Sequence, residues 1–114
     1  MESVDKPWGH YVDIYRPDDK KVVFKKIIVN PNEQLSNQYH KNRTEFWYIE
    51  NGEGVVTVEN SDIYVTSGDH LVIQPMEKHM VANNSEEPLV IYETQVGMCE
   101  EHDIVRLHDK YGRE

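Results

Sequence analysis

The sequence predicts an all-β chain, an antiparallel sandwich or barrel. Short apolar segments recur about every ten residues, turn signals separate them, and helical periodicity is scarce. The run Val22-Val23-Phe24-Lys25-Lys26-Ile27-Ile28-Val29 is rich in β-branched residues and stops at Asn30-Pro31-Asn32. Phe46-Trp47-Tyr48-Ile49 reads as the next clear strand and ends at Asn51-Gly52-Glu53-Gly54, a strong turn signal. Val55-Val56-Thr57-Val58 and Asp62-Ile63-Tyr64-Val65 follow, joined by the polar Glu59-Asn60-Ser61. After Ser67-Gly68-Asp69 come His70-Leu71-Val72-Ile73, then Met80-Val81-Ala82, then Leu89-Val90-Ile91-Tyr92-Glu93-Thr94. The tail, residues 100–114, is highly charged but carries Ile104, Val105 and Leu107, which suits either a short helix or an extended arm lying on the barrel.

The totals bound what such a chain can do. With 114 residues the sequence is the size of one domain, residues 1–114, and can bury a modest core. Hydrophobic residues make up 38% and charged residues 29%, a globular balance. The net charge of −9, from 21 acidic and 12 basic residues, argues against a nucleic-acid or anionic-membrane partner, since both require surplus Lys and Arg. A phosphorylated ligand is not forbidden, because a few local cations can outweigh the global field. Cys99 is the one cysteine, so no intrachain disulfide is possible. Met1-Glu2-Ser3-Val4-Asp5 is acidic and lacks the apolar run of a signal peptide, and no stretch approaches the ~20 apolar residues of a membrane span. The expectation is a soluble cytoplasmic protein.

The chemistry lies in one spacing. Gln38-Tyr39-His40 is followed by four residues and then Glu45, and Gly52 comes after six more. Gln38 and His40 are two apart, so on a strand both side chains point to one face, the lumen of a barrel. Glu45 reaches back from the start of the neighbouring strand, and His79 is the best fourth ligand from another strand. Imidazole, carboxylate and amide oxygen suit one first-row divalent ion: Zn, Fe, Mn, Co or Ni. A lone histidine near a strand end is usually structural; four such residues at this spacing are harder to obtain by accident. His10, His70, His102 and His108 lack that support and read as surface or packing residues.

These spacings resemble the two motifs of cupins. The second half of the first motif, with its His, Glu and Gly, matches His40, Glu45 and Gly52, and the second motif matches Gly68, His79 and Asn83. Gln38 stands where the first His is usual, Asn32 replaces the first Gly, and Gln74 and Met76 replace a Pro and a Gly around Pro75. These departures touch turn geometry more than the ligands. The resemblance implies a small antiparallel double-stranded β-helix, the jelly-roll barrel, with N- and C-terminal arms.

The ends narrow the resemblance. Lys6-Pro7-Trp8-Gly9-His10-Tyr11 resembles the "RPWGxY" start of the cupin domain in type II mannose-6-phosphate isomerases, a domain often fused to a mannose-1-phosphate guanylyltransferase. Lys25-Lys26-Ile27-Ile28-Val29-Asn30-Pro31, Leu35-Ser36-Asn37-Gln38-Tyr39-His40 and Arg43-Thr44-Glu45-Phe46-Trp47 resemble that family's "KRIxVxPG", "LSLQxH" and "RAEHW". Residues 103–113 follow its "DDIVRxxDxYGR" ending, the most specific part. The resemblance spans nearly the whole chain and accounts for the Gln at position 38.

It implies a metal-dependent aldose–ketose isomerase of a hexose phosphate, mannose 6-phosphate to fructose 6-phosphate, with Arg106 reaching over the barrel mouth as a catalytic or substrate-contacting cation. Lys25 shares its strand face with Val23 and Ile27, which allows an inward, substrate-binding role; the alternative is a solvated charge at a strand edge. For Arg106 the alternative is a salt bridge holding the tail to the barrel. Trp8 and Tyr11 are expected to pack an N-terminal arm, and Asp109 and Tyr111 to anchor the tail. The family's further histidines are replaced by Lys41, Asn42 and Phe46, and a changed pocket wall would mean a changed substrate. Two other functions stay open: a non-haem iron dioxygenase-type cupin, and a non-catalytic metal- or sugar-binding cupin. A homodimer is expected, because a small barrel leaves strand edges and apolar surface to cover.

Overall fold

The computed structural model describes residues 3–108 and 110–112, and every helix or strand within them is a strand. In chain order these are β1 (Ser3–Lys6), β2 (Gly9–Tyr15), β3 (Val22–Val29), β4 (Asn37–Tyr39), β5 (Arg43–Asn51), β6 (Glu53–Val58), β7 (Ser61–Thr66), β8 (His70–Ile73), β9 (His79–Ala82), β10 (Leu89–Gly97) and β11 (Val105–His108). They pair antiparallel into two sheets, β1-β2-β3-β10-β5-β8 and β11-β4-β9-β6-β7. The two sheets share one core, to which the first contributes Ile27, Trp47, Ile49, Ile73 and Ile91 and the second Val56, Val65 and Val81. The architecture is the double-stranded β-helix that the strand spacing and the cupin motifs predict. Among the described residues no helix is long and apolar enough to cross a membrane.

Alternation decides which side chains face inward. On β3, β5 and β10 every second residue is buried: Val23, Lys25, Ile27 and Val29; Arg43, Glu45, Trp47 and Ile49; Leu89, Ile91, Glu93 and Gln95. Residues directly opposite on paired antiparallel strands share a face, so the register stacks these side chains in rows. Ile27, Ile91 and Ile49 form one row; Lys25, Glu93 and Trp47 the next; Val23, Gln95 and Glu45 the third. The other parity faces outward, and Phe46 is 46% exposed there, beside Val72 of β8.

The N-terminal segment, expected as an arm, is instead a β1–β2 hairpin that extends the first sheet beside β3. Gly9 permits that join: a Cβ there would lie 2.1 Å from the Ile28 carbonyl oxygen. The tail resolves to the extended alternative, with β11 adding to the second sheet next to β4. Tyr111 packs against the core, whereas the expectation for Asp109 lies outside the described residues.

Both turns where motif glycines are replaced keep a left-handed backbone, with φ of +62° at Asn32 and +71° at Met76. Asn tolerates that region through its short polar side chain; Met does not, and its strain is offset by neighbouring structure. Met76 N–H donates to the His40 carbonyl at 2.7 Å, so this strained turn ties down one of the candidate ligands. Asn83, fully buried, donates from Nδ2 to the Val29 and Glu87 carbonyls at 3.0 and 2.7 Å, which assigns this motif residue to holding the β9–β10 loop.

Candidate metal centre

The four sequence-predicted ligands converge on one cavity of about 260 Å³ between the sheets. Gln38 of β4 lies in register with His79 of β9 on one side and Arg106 of β11 on the other, so these three form a row across the second sheet. Glu45 comes from the first sheet, and His40 lies just past β4. Gln38 is 8% exposed, and His40, Glu45 and His79 are buried as well.

One ligand atom from each of His40, Glu45 and His79 falls within a 4.8 Å span. His40 Nε2 lies 3.3 Å from Glu45 Oε2, and His79 Nε2 lies 3.8 Å from Glu45 Oε1. Bonds of about 2.0–2.2 Å to a shared ion would set such atoms roughly 3–3.5 Å apart, so a small inward adjustment closes the set. The tautomers fit too. His40 Nδ1 is 2.6 Å from the Asp103 carbonyl oxygen and His79 Nδ1 is 2.9 Å from that of Glu77. A carbonyl oxygen can only accept, so each Nδ1 carries the proton and each Nε2 offers its lone pair to the cavity. The donor set fits a divalent ion.

Electrostatics keep the set in the ligating state. Burial pushes the His40 imidazole down to about 4, leaving it neutral at neutral pH. Burial alone would raise the Glu45 carboxyl; the charges of His40, Arg43 and His79, with the Trp47 N–H, outweigh it and hold the group at about 2. Because His40 is neutral at pH 7, the permanent partner there is Arg43. Its Nε donates to Glu45 Oε2 at 2.9 Å and its Nη2 to His40 Nε2 at 3.1 Å, while Trp47 Nε1 donates to Glu45 Oε1 at 3.0 Å. The Arg43 guanidinium thus engages the same lone pair an ion would take. Metal entry must exchange that hydrogen bond for a coordinate bond.

The remaining predicted residues also reach the cavity. Arg106 lines it, and its Nε is buried with no hydrogen-bond partner among the described residues. Lys25 is 6% exposed, so the solvated-charge alternative does not hold. Its Nζ lies 4.1 Å from the centroid of the Tyr11 ring and 2.7 Å from the Glu101 carboxylate, which also accepts from Arg16. Trp8 and Tyr11, expected only to pack an arm, both line the cavity. Burial, then the charges of Glu101 and Asp13, pushes the Tyr11 hydroxyl up to about 12.

Lys41, Asn42 and Phe46, where the family's additional histidines are missing, are all exposed, and none lines the cavity. The Lys41 and Asn42 amides instead donate to the Asp103 carboxylate, each at 2.9 Å, fixing the segment whose carbonyl orients His40. On the strands, sequence reasoning missed three buried polar residues of the wall, Arg43, Glu93 and Gln95. Their signal was parity, for each occupies an inward position of a strand whose other inward residues include Ile49 or Ile91.

Comparison with known proteins shows the family and agrees with the fold. The chain is 35% identical over 112 residues to a mannose-1-phosphate guanylyltransferase of Escherichia coli K12, covering 97% of this chain and 23% of that protein. It therefore spans about a quarter of the length of the curated relatives it matches. CapF, a capsular polysaccharide assembling protein of Staphylococcus aureus, superposes with a TM-score of 0.82 at 16% identity, over 95% of this chain and 32% of its own. The cupin domain of Cnp3 from Schizosaccharomyces pombe superposes with a TM-score of 0.73 at 11% identity, over 77% of this chain and 64% of its own. Residues 1–109 match the family described as mannose-6-phosphate isomerase C-terminal, and the chain belongs to that family, as a cupin domain of the mannose-phosphate isomerase type.

Proposed function

We propose that this domain is a metal-dependent aldose–ketose isomerase of a hexose phosphate, interconverting mannose 6-phosphate and fructose 6-phosphate. The observation that carries the reading is the row Arg106–Gln38–His79 facing Glu45 across one cavity, which sets a cation beside a metal-type donor set. Family membership supports it, as does the placement of Lys41, Asn42 and Phe46 outside the cavity, since their departure from the family pattern leaves the wall intact.

His40, Glu45, His79 and Gln38 would hold a divalent ion, which would supply Lewis-acid polarisation of the sugar carbonyl. The protein's own groups do the rest. Arg43 neutralises Glu45 and keeps its carboxylate turned toward the centre. Of the cations that line the cavity, Arg106 and Lys25 are assigned to the phosphate and to oxygens that gain charge. For Lys25 this requires exchanging the Glu101 carboxylate for the substrate's anion. Ile27, Leu35 and Ile104 line the same cavity and exclude water from the reacting carbons.

The test is turnover of mannose 6-phosphate by the purified protein loaded in turn with Zn, Co, Mn, Fe or Ni. Fructose 6-phosphate formation that falls at least a hundredfold in His79→Ala and in Arg106→Ala is the expected result. Tight metal binding with no turnover under any of these ions would overturn the reading in favour of a binding cupin, and oxygen consumption by the Fe(II) form would point to a dioxygenase.

A further inference from the structure

We propose that Glu93 is the acid–base group of the isomerisation, carrying the hydrogen between C1 and C2 of the sugar, with Gln95 as the residue that positions it. The proposal rests on the isomerase reading and names the proton carrier that reading lacks.

Glu93 is 4% exposed and lines the cavity between Lys25 on β3 and Trp47 on β5. Its hydrogen bond comes from Gln95 Nε2, two residues along the same face of β10. Among the described residues no cation comes within ion-pair distance of it: Lys25, its cross-strand neighbour, places Nζ on Glu101. A carboxyl buried without a paired cation is costly, and glutamine would fill the same space without that cost. Such a group points to chemistry at that position.

Two further atoms on the same cavity are unsatisfied. Gln95 Oε1 is a buried acceptor and Arg106 Nε a buried donor, each without a partner among the described residues. An acceptor on the β10 wall and a donor on the β11 wall, both left open to one cavity, suit a ligand with several hydroxyls, which both gives and takes hydrogen bonds. Burial pushes the Glu93 carboxyl above the usual carboxylate range, the direction that an acid–base group working near neutrality needs.

The step balances without any co-reactant. The Glu93 carboxylate takes the hydrogen from C2 as a proton; the C2–H electron pair forms the C1=C2 bond and the carbonyl pair moves onto O1. The O2 proton passes to O1, O2 becomes the carbonyl, and Glu93 returns its proton to C1. Nothing is oxidised or reduced overall, and Glu93 ends as it began.

The experiment compares wild type, Glu93→Gln and Glu93→Asp, all metal-loaded, in turnover of mannose 6-phosphate and in incorporation of solvent deuterium at C1 and C2, followed by NMR. Metal content and far-UV circular dichroism are recorded beside them. The proposal expects Glu93→Gln to lose about 10²- to 10⁴-fold in kcat. Its KM and metal content should stay within about threefold and deuterium incorporation should vanish, while Glu93→Asp retains part of both. Glu93→Gln turning over within threefold of wild type overturns the assignment and leaves the isomerase reading standing. Loss of the metal together with activity also overturns it, making Glu93 structural. A wild type that turns over no hexose phosphate with any ion overturns both. Should Glu93→Gln not fold, Glu93→Asp decides: kcat at least tenfold lower at unchanged metal content supports the role, and kcat within threefold overturns it.

Discussion

The two halves of the barrel lumen are built from the same strands, in the same register, on the same face, yet they do opposite things. In the lower half Ile49, Ile91 and Leu89 are buried with Val56 and Val81 of the facing sheet and form core, and Ile27 of the same row lies at the boundary with the cavity. One row up, at Lys25, Glu93 and Trp47, the same alternation delivers charge, and the row above that brings Gln95 and Glu45. The difference teaches that the scaffold specifies only which residues are inside. Whether an inward position is core or site depends on the residue placed there, and on whether its polar atoms find partners. The upper half contains the open donor and acceptor at Arg106 and Gln95 and the carboxyl at Glu93, while the lower half is satisfied by packing.

That comparison breaks if the halves prove interchangeable. The largest expected effect is in the lower half. Ile91→Ala removes a fully buried side chain from the middle of a row and should cost about 2–5 kcal/mol in urea denaturation. Because Ile91 does not line the cavity, the folded variant should keep its metal affinity; a loss of affinity at full folding would show that the halves are coupled.

A smaller effect is expected in the upper half. Glu93 has a folded-state value raised to about 8 from 4.5, so between those values the native state holds a proton that the unfolded chain has released. Stability therefore declines as pH rises through that window. His40, lowered to about 4 from 6.5, acts in the other direction, costing stability as pH falls from 6.5. The two oppose each other below 6.5, and above it only the Glu93 contribution changes. Metal-free wild type should lose roughly 2 kcal/mol between pH 6.5 and 8, and Glu93→Gln should lose far less. Parallel stability curves for the two proteins would contradict the protonated state of Glu93.

Legible in the sequence were the strands whose apolar period is self-contained and the candidate ligands whose spacing is local. β3, β6 and β10 announce themselves by β-branched content, and Gln38, His40 and Glu45 lie within one turn of each other. The N-terminal hairpin was harder to see, because Pro7 and Gly9 punctuate it and its pairing with β3 is a tertiary property. β11 is four residues long and exists as a strand through its partner β4, so the tail could be read as helix or arm. Glu93 sits near the end of the segment 89–94 that the sequence marks as a strand, and Gln95 lies just beyond it. Only the register, which places Glu93 opposite Lys25 and Trp47, turns their parity into a cavity wall. Met76 carries a different lesson: a glycine missing from a motif leaves the turn in place when the backbone around it holds the conformation.

The central claim, a divalent metal centre at the upper end of the lumen, is tested most directly by metal stoichiometry. Metal-free protein is dialysed against each candidate ion and bound metal is measured by inductively coupled plasma mass spectrometry, for wild type, His79→Ala and Glu45→Gln. The account predicts one ion per chain in wild type and at least a hundredfold weaker binding in both variants. Wild type that retains no divalent ion, or variants that retain it as tightly, would contradict it.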